Sequence, residues 1–193
     1  MSENTAVFEF IASRRSLKPK LLTEPSPTDA QFARAAQAAM RAPDHGSLFP
    51  YRFVRVESED RGRLADVFEA AAKRQGADAD KQARSRSKAL KGPSLVGFVF
   101  SPATECGISL DEQFLTAGAA LDQFMLALSA LGFGGIVLSG SVLADDGVQA
   151  FFCRKPGEKL IAWVICGTPA PEAKPQDAET REAPFTVWTP AAS

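Results

Sequence analysis

SLDEQFLTAGAALDQFMLALSALGFGGIVLSG, residues 109–140, decides how the rest of the chain is read. Ser109 followed by Asp111 and Glu112 opens a helix, because a serine hydroxyl can accept from the first free N–H groups while a carboxylate three residues on reaches back. Phe114, Leu121, Phe124, Met125 and Leu128 then recur at helical spacing until Gly132 supplies a C-cap. The helix is apolar around much of its circumference, and Ala117, Gly118, Ala119 and Ala120 keep its middle narrow. Such a helix belongs in the centre of an assembly or at a subunit interface, since small residues let a neighbour approach closely. Gly134 to Gly140 follow as a short strand between glycines. Two readings stay open for them: close backbone approach to a flat ligand with amides free to donate, or a helix cap followed by a tight turn. They are not a dinucleotide fingerprint, because they follow a helix and lead into a strand, the reverse of the order that aims a helix N-terminus at a pyrophosphate.

Composition narrows the chemistry. A chain of 193 residues that is 45% hydrophobic can bury roughly 70% of its unfolded surface, enough for one domain over residues 1–193 without metal or disulfide staples. Twenty-two basic against 23 acidic residues leave a net charge of −1, which gives no broad attraction to nucleic acid or anionic lipid. No apolar run reaches the roughly 18 residues of a membrane span, and the N-terminus lacks a basic region followed by an apolar core, so a soluble, cytoplasmic protein is expected. Cys106, Cys153 and Cys166 are too scattered for a disulfide framework or a zinc site and read as core thiols. A single histidine, His45, leaves too few ligands for a catalytic zinc or a two-histidine iron. Nor is there a GxSxG elbow to supply a hydrolase nucleophile. Asp145 and Asp146, as neighbours, point in different directions and favour a helix N-terminus rather than an acid/base pair. If the protein is an enzyme, its reactive group comes from outside the chain.

Outward from the long helix, the elements alternate. Val7, Phe8 and Ile11 mark a helix face ending at Arg14 and Arg15, and Pro19, Pro25 and Pro27 force an extended connection. Thr28 and Gln31 form a capping box for a second helix that buries Phe32, Ala36, Ala39 and Met40 and stops at Ala42, before Pro43. A loop, RAPDHGSLFPY, then precedes a strand from Phe53 to Glu57. Helices are expected from Asp60 to Gln75 and from Asp78 to Leu90, the latter a mobile, solvated excursion for want of apolar residues. Leu95 to Phe100 and Lys159 to Cys166 read as core strands. The 26 residues from Thr168 carry five prolines and a β-like patch, Phe185 to Trp188, a composition suited to wrapping another surface such as a second subunit.

Arg14, Arg15 and Ser16 can give a phosphate charge-assisted hydrogen bonds, each worth roughly 1.5 to 3 kcal/mol. They can equally be cations at a helix C-terminus, placed there for the dipole. Taken in order, RRS after the first helix, RAPDHGSLFPY after the second, the long helix leading to GFGGIVLSG, a strand ending GTP and a proline-rich tail resemble the FMN-dependent nitroreductase family, in particular its YdjA-like subgroup. The resemblance covers about Phe8 to Trp188.

That resemblance implies a homodimer of α+β subunits, each with a central, mostly antiparallel sheet flanked by helices and a C-terminal tail, 168–193, exchanged with the partner. It implies FMN in each of two interface sites, with NADH or NADPH as reductant and a small acceptor, such as a nitroaromatic or quinone, using one flavin face in turn. Arg14, Arg15 and Ser16 would meet the phosphate. Pro43, Asp44, His45 and Ser47 would come from the partner subunit, with His45 a polar wall or substrate contact. Val137, Leu138 and Ser139 would lie along the ring, with Gly134 and Gly135 turning the chain toward it. No catalytic side chain is implied, since the flavin N5 carries the hydride. The chain departs from the pattern at Ser47, where Asn is common, at Phe49-Pro50-Tyr51 in place of Gln-Pro-Trp, and at Leu138, where the subgroup has Arg. Leu138 therefore contributes shape and backbone contacts only. An FMN-holding module without turnover and a purely structural dimer are the alternatives.

Overall fold

β5 (Lys159–Pro169) is the axis of the molecule in the computed structural model, which describes residues 4–173 and 184–188. β3 (Ser94–Phe100) runs antiparallel along one edge of it, and β2 (Tyr51–Val56) lies antiparallel outside β3. β4 (Gly134–Leu138) pairs with residues 163–167 of β5 and so takes the opposite edge, while β1 (Leu22–Thr23) pairs with the strand's last residues. The architecture is the expected α+β one with an open antiparallel sheet. β3 reads as an unbroken apolar run because all seven of its residues are buried.

Helices cover both faces. On one face α3 (Arg61–Arg74) and α6 (Asp146–Phe152) pack Leu64, Phe68, Val148 and Phe152 against Leu95, Trp163 and Ile165. On the other, α2 (Asp29–Ala39) and α5 (Leu110–Ala130) pack Phe32, Ala35, Phe124 and Leu128 against Val96, Val164 and Cys166. The caps formed as their sequences dictate. Gln31 N donates to Thr28 Oγ1 at 3.3 Å and Thr28 N to Gln31 Oε1 at 2.9 Å. Ser109 Oγ accepts from Glu112 N at 3.2 Å, and Gly132 leaves α5 at φ +88°. Asp145 caps α6 by accepting from Gly147 and Val148, and Arg74 binds its carboxylate through two nitrogens.

Three expectations are corrected. α2 ends at Ala39 rather than Ala42, since Arg41 and Ala42 donate three residues back in a tighter turn. That turn carries Met40 off the buried stripe, leaving it exposed. α4 (Ala79–Ala89) is no solvated excursion but docks on α3 through polar bonds instead of apolar area. Ser85 Oγ donates to the buried Phe68 carbonyl at 2.9 Å, and the Arg61 guanidinium donates to the carbonyls of Ala89, Lys91 and Gly92. Residues 185–188 form no strand and stand exposed, because a two-sided patch needs a pairing edge that this chain does not bring to it. The rest of the expected tail, 174–183 and 189–193, lies outside the described residues.

Two apolar stripes stay uncovered. α1 (Thr5–Ala12) buries nothing, with Phe8 65% exposed, and α5 exposes Leu110, Phe114 and Leu115, the last by 74%. An isolated eight-residue helix is marginal in water. No helix of the described residues is long and apolar enough to cross a membrane.

Candidate functional site

The segment after α1 is seated against β4. Leu17 is buried, and its backbone N–H donates to the Gly135 carbonyl at 3.0 Å. Because backbone groups alternate sides along an antiparallel strand, Val137 turns its N–H and C=O toward the same outer edge as the Gly135 carbonyl, away from β5. The two glycines have a packing reason. A Cβ on Gly134 would stand 2.5 Å from Leu17 Cδ1, and one on Gly135 would stand 3.1 Å from the Ile165 carbonyl and 3.0 Å from Met125 Cε. They let the cationic segment close on one side of β4 and α5 on the other.

Arg14, Arg15 and Ser16 therefore run beside this edge. Arg14 Nε lies 4.0 Å from Asp122 of α5, and Arg15 Nη2 donates to the Ala173 carbonyl at 2.6 Å, tying the segment to the chain that leaves β5. Beyond Leu17, a recess of about 500 Å³ is walled by Ile136, Leu138, Pro19 and Gly92 and rimmed by Lys18, Lys20 and Lys91. Its volume falls in the range of small-molecule sites. Ile136 and Leu138 share the face of Gly134, while Val137 points to the opposite side.

Sequence reasoning did not single out the three lysines. Lys18 and Lys20 flank Pro19 just after the arginines, and that clustering was a usable signal. Lys91 reaches the recess only through the docking of α4.

The loop after α2 sits elsewhere in the chain. Thr116 Oγ1 donates to the Pro43 carbonyl at 3.0 Å, and Asp44 Oδ2 accepts from Phe49 N at 2.8 Å. Gly46, Ser47 and Phe49 all have positive φ, and a Cβ on Gly46 would meet Ile108 at 2.8 Å. His45 Nδ1 is 3.0 Å from Glu112 Oε2, with both side chains largely exposed. The bond to His45, and then that to Ser109, holds the Glu112 carboxyl below its ordinary value. The loop thus rests on Glu112 and Thr116, whereas Arg14 is beside Asp122. Ten residues of helix separate Glu112 from Asp122, roughly 15 Å at 1.5 Å per residue. Pro43, Asp44, His45 and Ser47 do not share a pocket with Arg14, Gly134 and Leu138 in one chain.

No group of three or more potential metal ligands occurs among the described residues. The Cys166 thiol is buried under Ser94, and burial pushes its pKa up to about 11, far from a reactive thiolate. What remains is an apolar wall with an open strand edge and a cationic rim, a donor set for a flat ring carrying an anionic end.

Comparison with known proteins identifies the family. The sequence model of the Nitroreductase family matches residues 11–168. A protein of Escherichia coli (strain K12) named "Putative NAD(P)H nitroreductase YdjA" is 32% identical over 181 residues, covering 93% of this chain and 97% of its own. Among solved structures, the nitroreductase-like family protein of Bacillus cereus superposes with a TM-score of 0.76 at 18% identity, over 95% of this chain and 94% of that one. A nitroreductase with bound FMN from Bacteroides fragilis NCTC 9343 does so with a TM-score of 0.70 at 17% identity, over 97% and 100%. Matched over most of its length in sequence and over nearly all of it in fold, the chain belongs to the Nitroreductase family.

Proposed function

We propose that this chain holds FMN and passes hydride from NADH or NADPH to a small acceptor such as a nitroaromatic or quinone. The bond from Leu17 to Gly135 carries the reading, because it ties the segment that follows Arg14, Arg15 and Ser16 to the outer edge of β4, whose Ile136 and Leu138 wall the recess. The residues fit the group: Arg14, Arg15 and Ser16 take the phosphate, and Ile136 and Leu138 wall the ring. Val137 would offer a backbone N–H and C=O to the polar atoms of the ring, while Lys18 and Lys20 would offset negative charge that develops on it. Bound FMN supplies hydride transfer at N5. The chain orients the ring, keeps water from it and leaves one face open to reductant and acceptor in turn. No side chain is assigned a proton transfer, and His45 contacts the substrate.

The same reading requires two copies. Pro43, Asp44, His45 and Ser47 reach the site from a second subunit, since within one chain they stand roughly 15 Å along α5 from Arg14. The uncovered faces of α1 and α5 supply the apolar surface for that homodimer.

An absorption spectrum of the purified protein, repeated after anaerobic addition of each nicotinamide, tests the proposal. A yellow protein that bleaches is the expected result. A colourless protein that rejects added FMN would sink the reading, and a yellow one that neither nicotinamide bleaches would make it an FMN-holding module.

A further inference from the structure

A second recess, of about 420 Å³, opens between the end of α3, the face of α4 and the turn after β4. Gln75, Lys81, Arg84, Lys88, Ser141 and Val142 line it, and none of its lining residues is acidic. Residues 81, 84 and 88 are spaced by three and four, so the cations form one stripe on α4, roughly 10 Å long at 1.5 Å per residue. The floor is fixed, since Gln75 Nε2 donates to the Ser141 carbonyl at 3.0 Å and Val142 is buried.

Most neighbouring charges are already matched. Arg74 is bound to Asp145, Arg86 to Asp66 and Glu69, and Lys81 lies 3.4 Å from Asp78. Arg84 and Lys88 make no ion pair among the described residues, although Lys88 is half-buried. Two cations one turn apart with no carboxylate among the residues lining the recess make a site for an anion.

The stripe leads toward the apolar recess. Lys91, three residues beyond Lys88, rims that recess, and Leu138, three before Ser141, walls it, so two short stretches of chain connect the two cavities. A reductant that meets the flavin at that recess has its negative groups within reach of this stripe, roughly 10 Å long. An acid that could grip a ribose 2′-hydroxyl is missing, and cations that could take a 2′-phosphate are present.

We propose that the α4 groove receives the phosphate-bearing half of the reductant and selects NADPH over NADH through its 2′-phosphate. This rests on the oxidoreductase reading above, and its test includes an arm that needs no flavin. Calorimetric titration of the full-length protein with adenosine 2′,5′-bisphosphate should show binding, with 5′-AMP on the order of tenfold weaker or more. Arg84→Glu with Lys88→Glu should abolish the difference, Arg84→Gln with Lys88→Gln should reduce it at unchanged Tm, and Lys88→Arg should keep it. In the holoprotein, kcat/KM should favour NADPH by at least about tenfold, and in the charge-removed variant it should fall far more for NADPH than for NADH, closing the gap between them. Equal binding of the two adenosine nucleotides, or a nicotinamide preference that survives loss of both cations, would overturn the proposal. Selective nucleotide binding by a protein that holds no FMN would keep the groove and sink the oxidoreductase reading alone.

Discussion

Leu17 donates its backbone N–H to the carbonyl of Gly135 at 3.0 Å, joining the segment after the first helix to the outer edge of β4. Gly134 leaves room for Leu17 there, while on the opposite side of β4 it is Gly135, also without a Cβ, that lets the strand lie close to Ile165 and Met125. A methyl there would stand 3.1 Å from the Ile165 carbonyl, a backbone atom that cannot rotate away. Gly135→Ala should destabilise the protein by about 1–3 kcal/mol, lowering Tm by roughly 2–4 °C per kcal/mol, and should weaken FMN retention beyond the unfolded fraction. A thermal melt paired with a flavin titration reads both. Unchanged retention would mean that β4 does not touch the ring.

Arg14 separates binding from stability. Its only ion pair among the described residues is Asp122, at 4.0 Å and well exposed, a pair worth about 0–1 kcal/mol. Arg14→Ala should therefore barely move Tm while raising the Kd for FMN by about 10- to 150-fold, the equivalent of one lost charged hydrogen bond. Comparable losses in both would return the residue to its alternative role as a helix-end cation.

Gly97 is the matching control, inside the sheet and away from the site. A Cβ at this position would meet the ring of Phe152 at 2.4 Å, and that ring is buried. Gly97→Ala should cost about 1–3 kcal/mol or more and leave the Kd for FMN of the folded fraction unchanged. A urea titration with and without FMN distinguishes this from a binding defect.

Much of this fold was legible because its elements carry both periodicity and caps. Thr28 with Gln31, Ser109 with Glu112, Gly132 and the Asp145 cap are all local signals, and all formed. The failures are cases where tertiary bonds replaced the local signal. α4 looked solvated because its docking uses Ser85, Arg86 and the Arg61 guanidinium rather than apolar area. Met40 left the buried stripe because the last turn tightened. At the candidate site the arginines, glycines and β4 were visible as stretches, yet the reason for the glycines was not. Only the fold shows that Leu17 and Met125 fill the space a side chain would need. Lys91 was illegible for the same reason, its place being set by α4.

Glu158 gives a pH dependence of stability. Its side chain is 1% exposed and accepts from Arg52 at 2.7 and 2.8 Å, from Ser101 and from the amides of Arg154 and Lys155. The Arg52 guanidinium, first among these, holds its carboxyl well below the usual carboxylate range. A depressed folded pKa contributes stability above the unfolded value of about 4.3 and loses it as pH falls below that. Glu158→Gln should lower stability at pH 7 by about 1–3 kcal/mol and flatten its decline between pH 5 and 3. Urea midpoints across that window check it; parallel acid limbs in both proteins would assign the decline to other carboxylates.

Leu115 tests the assembly. It is 74% exposed on α5, beside Phe114, which stands one turn beyond Leu110, while α1 buries none of its residues and leaves Phe8 and Ile11 more than half exposed. Large apolar side chains exposed in this number mark an interaction surface, and the loop carrying His45 needs a second chain if it is to reach a site roughly 15 Å away along α5. Placing a carboxylate at the centre of that surface desolvates a charge without a partner, at a cost of several kcal/mol. Leu115→Glu should therefore shift the protein from dimer to monomer in sedimentation. FMN should be lost in the same concentration range, because each site would lack its second wall. A monomeric variant that still retains FMN at wild-type affinity would place the whole site within one chain and remove the partner's loop from it.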